Sequence, residues 1–128
     1  MNKKILIVNA NYYEDISSGL LKSSTNIIPK NFKIKIIHVP GVFEIPVTIS
    51  KNLKKFDAFV ALGCVIKGQT PHFDFISKAA TDAIMQLSIN NNKPIGSGIL
   101  TCLNMKQAQA RKKKGAEATK AILSILSQ

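Results

Sequence analysis

The sequence predicts an α/β fold in three layers, α/β/α, with a four-stranded parallel sheet between two layers of helices. Three observations carry that prediction. Four short apolar runs alternate along the chain with stretches long enough for crossover helices. The apolar residues of those runs tend to be continuous and not strictly alternating, the pattern of strands covered on both faces. At 128 residues, 45% of them hydrophobic, residues 1–128 have the size of one domain with a real core. Right-handed crossovers then join the parallel strands.

The elements follow in order. Lys4–Val8 is read as the first strand and Ser17–Thr25 as the first helix. Phe32–Val39, rich in Ile and Val, is the second strand. The second helix spans Phe43–Lys54, with Pro46 near its start, where a missing N–H costs little. Ala58–Ile66 is the third strand and His72–Asn91 the third helix, favoured by Ala79, Ala80 and Ala83 and solvated on the side of Asp82. Asn90–Asn92 ahead of Lys93-Pro94 is a turn, and Ile95–Thr101 is the fourth strand. Two helical segments close the chain, Met105–Arg111 and Ala116–Leu126, with a break expected at Gly115, because glycine is poor in helix interiors and good at their ends.

Composition removes several classes of function. No apolar run approaches the roughly 20 residues that cross a bilayer, so no membrane partner is expected. The start is basic, but its apolar stretch stops at Asn9 and Asn11 without a small-residue cleavage site, so no secretory signal is expected. Cys64 and Cys102 lie far apart in sequence without clustered histidines, which suggests neither a metal site nor a disulfide framework and fits a reducing cytoplasm. The 18 basic against 7 acidic residues give a net charge of +11, which makes nucleic acid the first partner to consider. The lysines are scattered, however, and the one dense run, Arg111–Lys114, has no aromatics to stack bases. A solvated lysine surface is the better account, and no nucleic-acid partner is expected. Arg111 is the only arginine among those 18, a residue suited to a planar fork on phosphate.

Ligands of open α/β sheets bind beyond the carboxyl ends of the strands, and the unusual residues of this chain gather there. The turn Lys67-Gly68-Gln69-Thr70 precedes the third helix, so its N–H groups and the helix dipole can hold an anion; an ordinary capped turn fits equally. It does not match the Walker phosphate loop. His72 opens that helix, whose dipole favours a neutral imidazole able to accept a proton, against the commoner structural role that His38 is given. Asp74 either pairs with His72 or favours the dipole. Glu44, between Phe43 and Ile45, suits a polyhydroxylated ligand or a helix start. Tyr12 and Tyr13 can stack on a planar ring, with a core role the safer expectation for either alone.

Three stretches together resemble lumazine synthase: Gly41-Val42-Phe43-Glu44-Ile45-Pro46, then Leu62 to Asp74 with Lys67-Gly68-Gln69-Thr70-Pro71-His72, then Gly98-Ile99-Leu100-Thr101 followed by Gln107-Ala108 and Arg111. The resemblance runs from about Ile5 to the end of the chain. It implies a flavodoxin-like fold and the condensation of 5-amino-6-ribitylamino-uracil with 3,4-dihydroxy-2-butanone 4-phosphate to 6,7-dimethyl-8-ribityllumazine, the penultimate step of riboflavin synthesis. It implies no cofactor and no metal. By the same resemblance Tyr12 stacks on the ring; Val42, Phe43 and Glu44 bind the ribityl chain; and Cys64, Val65 and Ile66 meet the pyrimidine through their backbone. Gly68, Gln69 and Thr70 match the phosphate loop, and His72 the proton-transfer histidine. Arg111 matches an arginine that binds phosphate from a neighbouring subunit, and Lys114 a lysine near the pyrimidine.

Several departures from the family pattern accompany these matches. Ser97 stands where the family often has an aromatic, and Tyr12 replaces the commoner Phe or Trp. The segment ahead of the first strand is short, as is the connection from Arg111 to Gly115; both are regions used for assembly. Family members form pentamers or sixty-subunit shells, and a pentamer is the expectation here. The alternative reading is a flavodoxin-like domain that binds a flavin or nucleotide without turnover, in which His72 and Glu44 would be unused.

Overall fold

The order of strands in space comes from burial. Ile5, Leu6, Ile7 and Val8 are completely buried, so the strand carrying them, β1 (Lys4–Ala10), lies inside a sheet and not at its edge. The computed structural model describes residues 3–128; Met1 and Asn2, which begin the basic tip, lie outside the described residues. With β2 (Lys33–Val39), β3 (Ala58–Ile66) and β4 (Ile95–Cys102), β1 forms a parallel sheet in the order β2-β1-β3-β4. The register sets Lys4 against Lys33 and Ile5 against Ala58, and Cys64 pairs with Leu100.

The helices cover both faces, as expected of an α/β/α arrangement. Against one face lie α1 (Glu14–Thr25) and α5 (Lys114–Leu126), sealing a core that includes Ile5, Ile7, Leu20, Val60, Leu62 and Ile122. Against the other lie α2 (Ile45–Lys51) and α3 (His72–Asn91), over Leu6, Val8, Ile45, Phe59 and Ile84. Each such side chain contributes on the order of 1.5–3 kcal/mol by leaving water. The short α4 (Met105–Gln109) begins with Asn104, whose Oδ1 accepts the Gln107 N–H at 2.9 Å, while Gln107 Oε1 accepts the Leu103 N–H at 2.8 Å. No helix among the described residues is long and apolar enough to cross a membrane.

Differences from expectation cluster at element ends. The first helix begins at Glu14, with Glu14 and Asp15 in its first turn, and not at Ser17. The second starts with a separate 3-10 turn, Val42–Glu44, and its α-helical part stops at Lys51. The last break falls over residues 110–113 and not at Gly115, which lies inside the first turn of α5. A Cβ there would overlap the Leu20 carbonyl oxygen, so this glycine serves the close approach of α5 to α1 and not a helix end. Coverage is also unequal. β4 alternates, with Gly96, Gly98, Leu100 and Cys102 buried while Ser97 and Thr101 stay exposed. On α3 only Ala80 and Ile84 are buried, leaving Phe75, Met85 and Ile89 largely exposed.

Candidate active site

The connection out of β1 runs to one edge of the sheet and that out of β3 to the other, so the chain leaves a crevice between the carboxyl ends of β1 and β3. Four segments line it, enclosing a cleft of about 520 Å³. Tyr12 and Tyr13 come from the end of β1, residues 41–44 from the turn after β2, and Cys64, Val65 and Ile66 from β3; His72 and Ile76 look in from α3. Gly63 lets these segments meet, since a Cβ there would come within 2.8 Å of Val42 Cγ2 and 3.0 Å of Ala10 Cβ.

Tyr12 is 74% exposed, so the core role expected of it does not hold; its ring meets that of Tyr13 edge-on, with centroids 4.9 Å apart. Tyr13 does pack on the core, and burial first, then Tyr12 and Cys64, push its phenol above the usual range. Phe43 stands 61% exposed beside the half-buried Glu44. The Glu44 carboxylate lies against Gly41 and has no side-chain hydrogen bond or ion pair among the described residues, which leaves it open to hydroxyl donors.

His72 is the first residue of α3 and exposed. Its backbone N–H points to Thr70 Oγ1 at 3.4 Å, so Thr70 serves the helix start as an ordinary capped turn would. No ion pair joins Asp74 to His72 among the described residues, which leaves Asp74 its place in the first turn, favoured by the dipole. Gly68 has open space where a Cβ would point, and Gly68, Gln69 and Thr70 are exposed at the rim, outside the residues that line the cleft.

Sequence separation concealed one relation. Cys64 and Cys102 sit on adjacent strands, on the same side of the sheet and in one buried cluster; both are free. Burial first, then the Cys102 thiol, push the Cys64 thiol up to about 12, so it stays protonated and contributes packing and backbone to the cleft. His38, given a structural role, lies beside Asn9, with Nδ1 3.4 Å from Asn9 Nδ2.

Arg111 and Lys114 are elsewhere. They line a second hollow of about 500 Å³ with Ile99, Leu100, Thr101 and Glu117, which shares no residue with the first. The connection that carries them is fastened to α1: Asp15 Oδ2 accepts Gln109 Nε2 at 2.8 Å and Lys112 Nζ at 3.2 Å, and these bonds hold the Asp15 carboxyl below its usual range. Ser97, on the open face of β4, lines neither hollow. Tyr13, for which the sequence left ring stacking and core both open, lines the cleft as well as packing on the core; Gly41 and Ile76 had no lining role from the sequence, though Ile76 was legible as the position one helical turn after His72. No group of three or more His, Cys, Asp or Glu able to hold a metal occurs among the described residues.

An all-parallel α/β domain with aromatic rings, a free carboxylate and an imidazole around a cleft at its strand ends belongs to the class of α/β enzymes acting on small polar molecules. Comparison with known proteins specifies which. A sequence model described as 6,7-dimethyl-8-ribityllumazine synthase matches residues 2–128. Proteins of that name are similar throughout: that of Bartonella bacilliformis is 42% identical over 120 residues, covering 90% of this chain and 79% of its own. That of Methylorubrum populi is 39% identical over 137 residues, covering 97% and 81%. That of Bartonella tribocorum is 40% identical over 138 residues, covering 99% and 91%. The chain belongs to the 6,7-dimethyl-8-ribityllumazine synthase family.

Proposed function

We propose that this chain is a transferase of riboflavin biosynthesis that condenses 5-amino-6-ribitylamino-uracil with 3,4-dihydroxy-2-butanone 4-phosphate. The products are 6,7-dimethyl-8-ribityllumazine, phosphate and two waters. Family membership supports this activity, and the observation that carries the assignment to a site is the convergence of Tyr12, Phe43, Glu44 and His72, from three separate segments, on one cleft. Tyr12 offers an exposed ring face to the pyrimidine, the Cys64–Ile66 backbone borders it, and the unpartnered Glu44 carboxylate accepts ribityl hydroxyls with Val42 and Phe43 alongside. Gly68, Gln69 and Thr70 border the phosphate at the rim.

The chemistry asks for little beyond placement and proton movement. The substrate's own amine attacks the ketone, and loss of water gives an imine; phosphate then leaves by elimination, and ring closure expels the second water. His72 moves protons in these steps, a role worth roughly 10²–10⁴ in rate. Holding both substrates together makes a bimolecular step effectively unimolecular. Arg111 stabilises the charge that grows on the departing phosphate.

We assign the active species to a homo-oligomer, a pentamer in preference to a sixty-subunit shell, in the cytoplasm. The separation of Arg111 and Lys114 from the cleft supports a site completed by a neighbouring chain, as do the exposed Phe75, Met85 and Ile89 of α3. Ser97, on the open face of β4 and outside both hollows, would meet a pyrimidine only if a neighbouring chain closed over that face, and would cover it less well than an aromatic does. Mixing both substrates with the protein tests the activity: lumazine absorbance and phosphate should rise in equal amounts, and folded oligomer producing neither rejects the assignment.

A further inference from the structure

At the opposite end of the sheet, where the strands begin, lies a second kind of hollow. It has a volume of about 480 Å³ and carries Lys4, Lys33, Lys35, Lys54 and Lys55. Ile34 and Phe56 form its apolar part. Lys4 and Lys33 face one another in register at the starts of β1 and β2, Lys35 is two residues further along β2, and Lys54 and Lys55 lie in the turn before β3. Three segments distant in sequence therefore bring five lysines to the lining of one concavity.

No carboxylate lines this hollow, and none of the five lysines is in an ion pair among the described residues. The adjacent Asp57 has its Oδ2 engaged by the Lys4 backbone N–H at 2.8 Å. Lysines on an edge strand discourage pairing with other strands, which accounts for Lys33 and Lys35 on β2. It does not account for Lys4, from an interior strand, or for Lys54 and Lys55, from a separate turn. Like charges gathered in a concavity with low-dielectric walls repel one another and concentrate a positive field, and an anion with several charges relieves both. Ammonium groups, each with three donors, suit phosphate oxygens as point charges.

We propose that this hollow is a binding site for a small anion carrying several linked phosphates, either a free oligophosphate or the polyphosphate end of a phosphate ester. It is distinct from the substrate phosphate site: β1 is seven residues long, which sets its two ends roughly 20 Å apart. A concave pocket encloses a small molecule, whereas single-stranded nucleic acid asks for a groove with free aromatic rings. Phe56, the one ring here, is turned edge-on to Phe59. Bound across β1, β2 and the turn before β3, the anion stabilises the folded chain by mass action.

Calorimetric titration of the full-length oligomer with inorganic tripolyphosphate, at about 0.15 M salt to screen loose surface attraction, tests this. The comparison is between Lys33→Gln/Lys54→Gln/Lys55→Gln and a control of equal net charge, Lys22→Gln/Lys106→Gln/Lys120→Gln, at exposed lysines elsewhere. The wild type should bind one tripolyphosphate per chain and melt at a higher temperature with it. The first variant should bind about tenfold or more weakly, the control within about twofold of wild type, and both should retain wild-type turnover. Should the triple variant fail to fold, Lys54→Gln/Lys55→Gln in the exposed turn makes the same comparison. Equal weakening in variant and control overturns the proposal in favour of net charge alone. So does absence of saturable binding in the wild type, or tighter binding of a single-stranded oligonucleotide through the same lysines.

Discussion

His72 and Cys64 border the same cleft, yet their surroundings give them opposite characters. His72 is exposed at the first position of α3 and packs into neither core, so its removal should leave the fold intact. His72→Ala should slow lumazine formation by about 10- to 10³-fold with an unchanged melting temperature, as steady-state assays and calorimetry will show. Native turnover in that variant removes the imidazole from the mechanism. Cys64, by contrast, is nearly buried, with its thiol pushed up to about 12. Only the thiolate alkylates, so at pH 8 Cys64 should react with iodoacetamide roughly 10²- to 10³-fold more slowly than a free cysteine, followed by mass spectrometry. The same shift has a consequence for stability. A thiol whose folded value lies above its unfolded value contributes stability that is complete below about 9 and lost as the pH rises from there toward 12. The alkaline decline in melting temperature should therefore be shallower in Cys64→Ala than in wild type, and identical slopes would reject the shift.

Elements are joined where backbones come closest, and Gly115 marks such a place. Its Cα faces the Leu20 carbonyl, and nearby Ser23 Oγ donates to Lys112 O at 2.9 Å and accepts the Ala116 N–H at 3.1 Å, while Ser24 and Thr119 share a buried hydroxyl bond of 2.6 Å. Gly115→Ala has to push α5 off α1 and should cost about 1–3 kcal/mol of stability, read from chemical denaturation. An unchanged midpoint would mean the two helices part without strain. This glycine also shows why parts of the fold were illegible in the sequence. Periodicity placed the four strands and the order of the helices, because apolar spacing reports which faces are buried. It could not distinguish a glycine that ends a helix from one that lets two helices touch, since both uses reward a missing side chain. The same limit applied at the site. Residues after the strands gathered in a cleft as the topology required, but the Cys64–Cys102 neighbourhood depends on the β3–β4 register, and the distance of Arg111 from His72 depends on where α4 turns into α5. Neither is written in local spacing.

At the scale of the whole molecule, the split of the named residues over two hollows bears on whether one chain can work alone. Tyr12, Glu44 and His72 share one, while Arg111 and Lys114 share another with the end of β4. If phosphate must reach both His72 and an arginine, the arginine comes from a second chain, and a head-to-tail ring supplies every cleft with one. A mixture of two inactive variants separates this from a self-contained monomer. In a ring assembled at random from equal amounts of His72→Ala and Arg111→Ala chains, about a quarter of the clefts pair an intact His72 with an intact Arg111 from the neighbour. Activity in the co-refolded mixture should approach about a quarter of wild type, although each variant alone is impaired. Activity in the mixture no greater than the mean of the two separate variants would place both groups on one chain and sink the shared site. The size of the assembly is a separate matter, on which charge bears. Each subunit carries +11, and a pentamer repeats that charge five times around one axis; packing rings into a shell brings such surfaces within a Debye length, roughly 10 Å at moderate salt. Light scattering near 0.1 M salt should therefore give a mass close to five chains, and a mass near sixty chains would show that contacts between rings outweigh their repulsion.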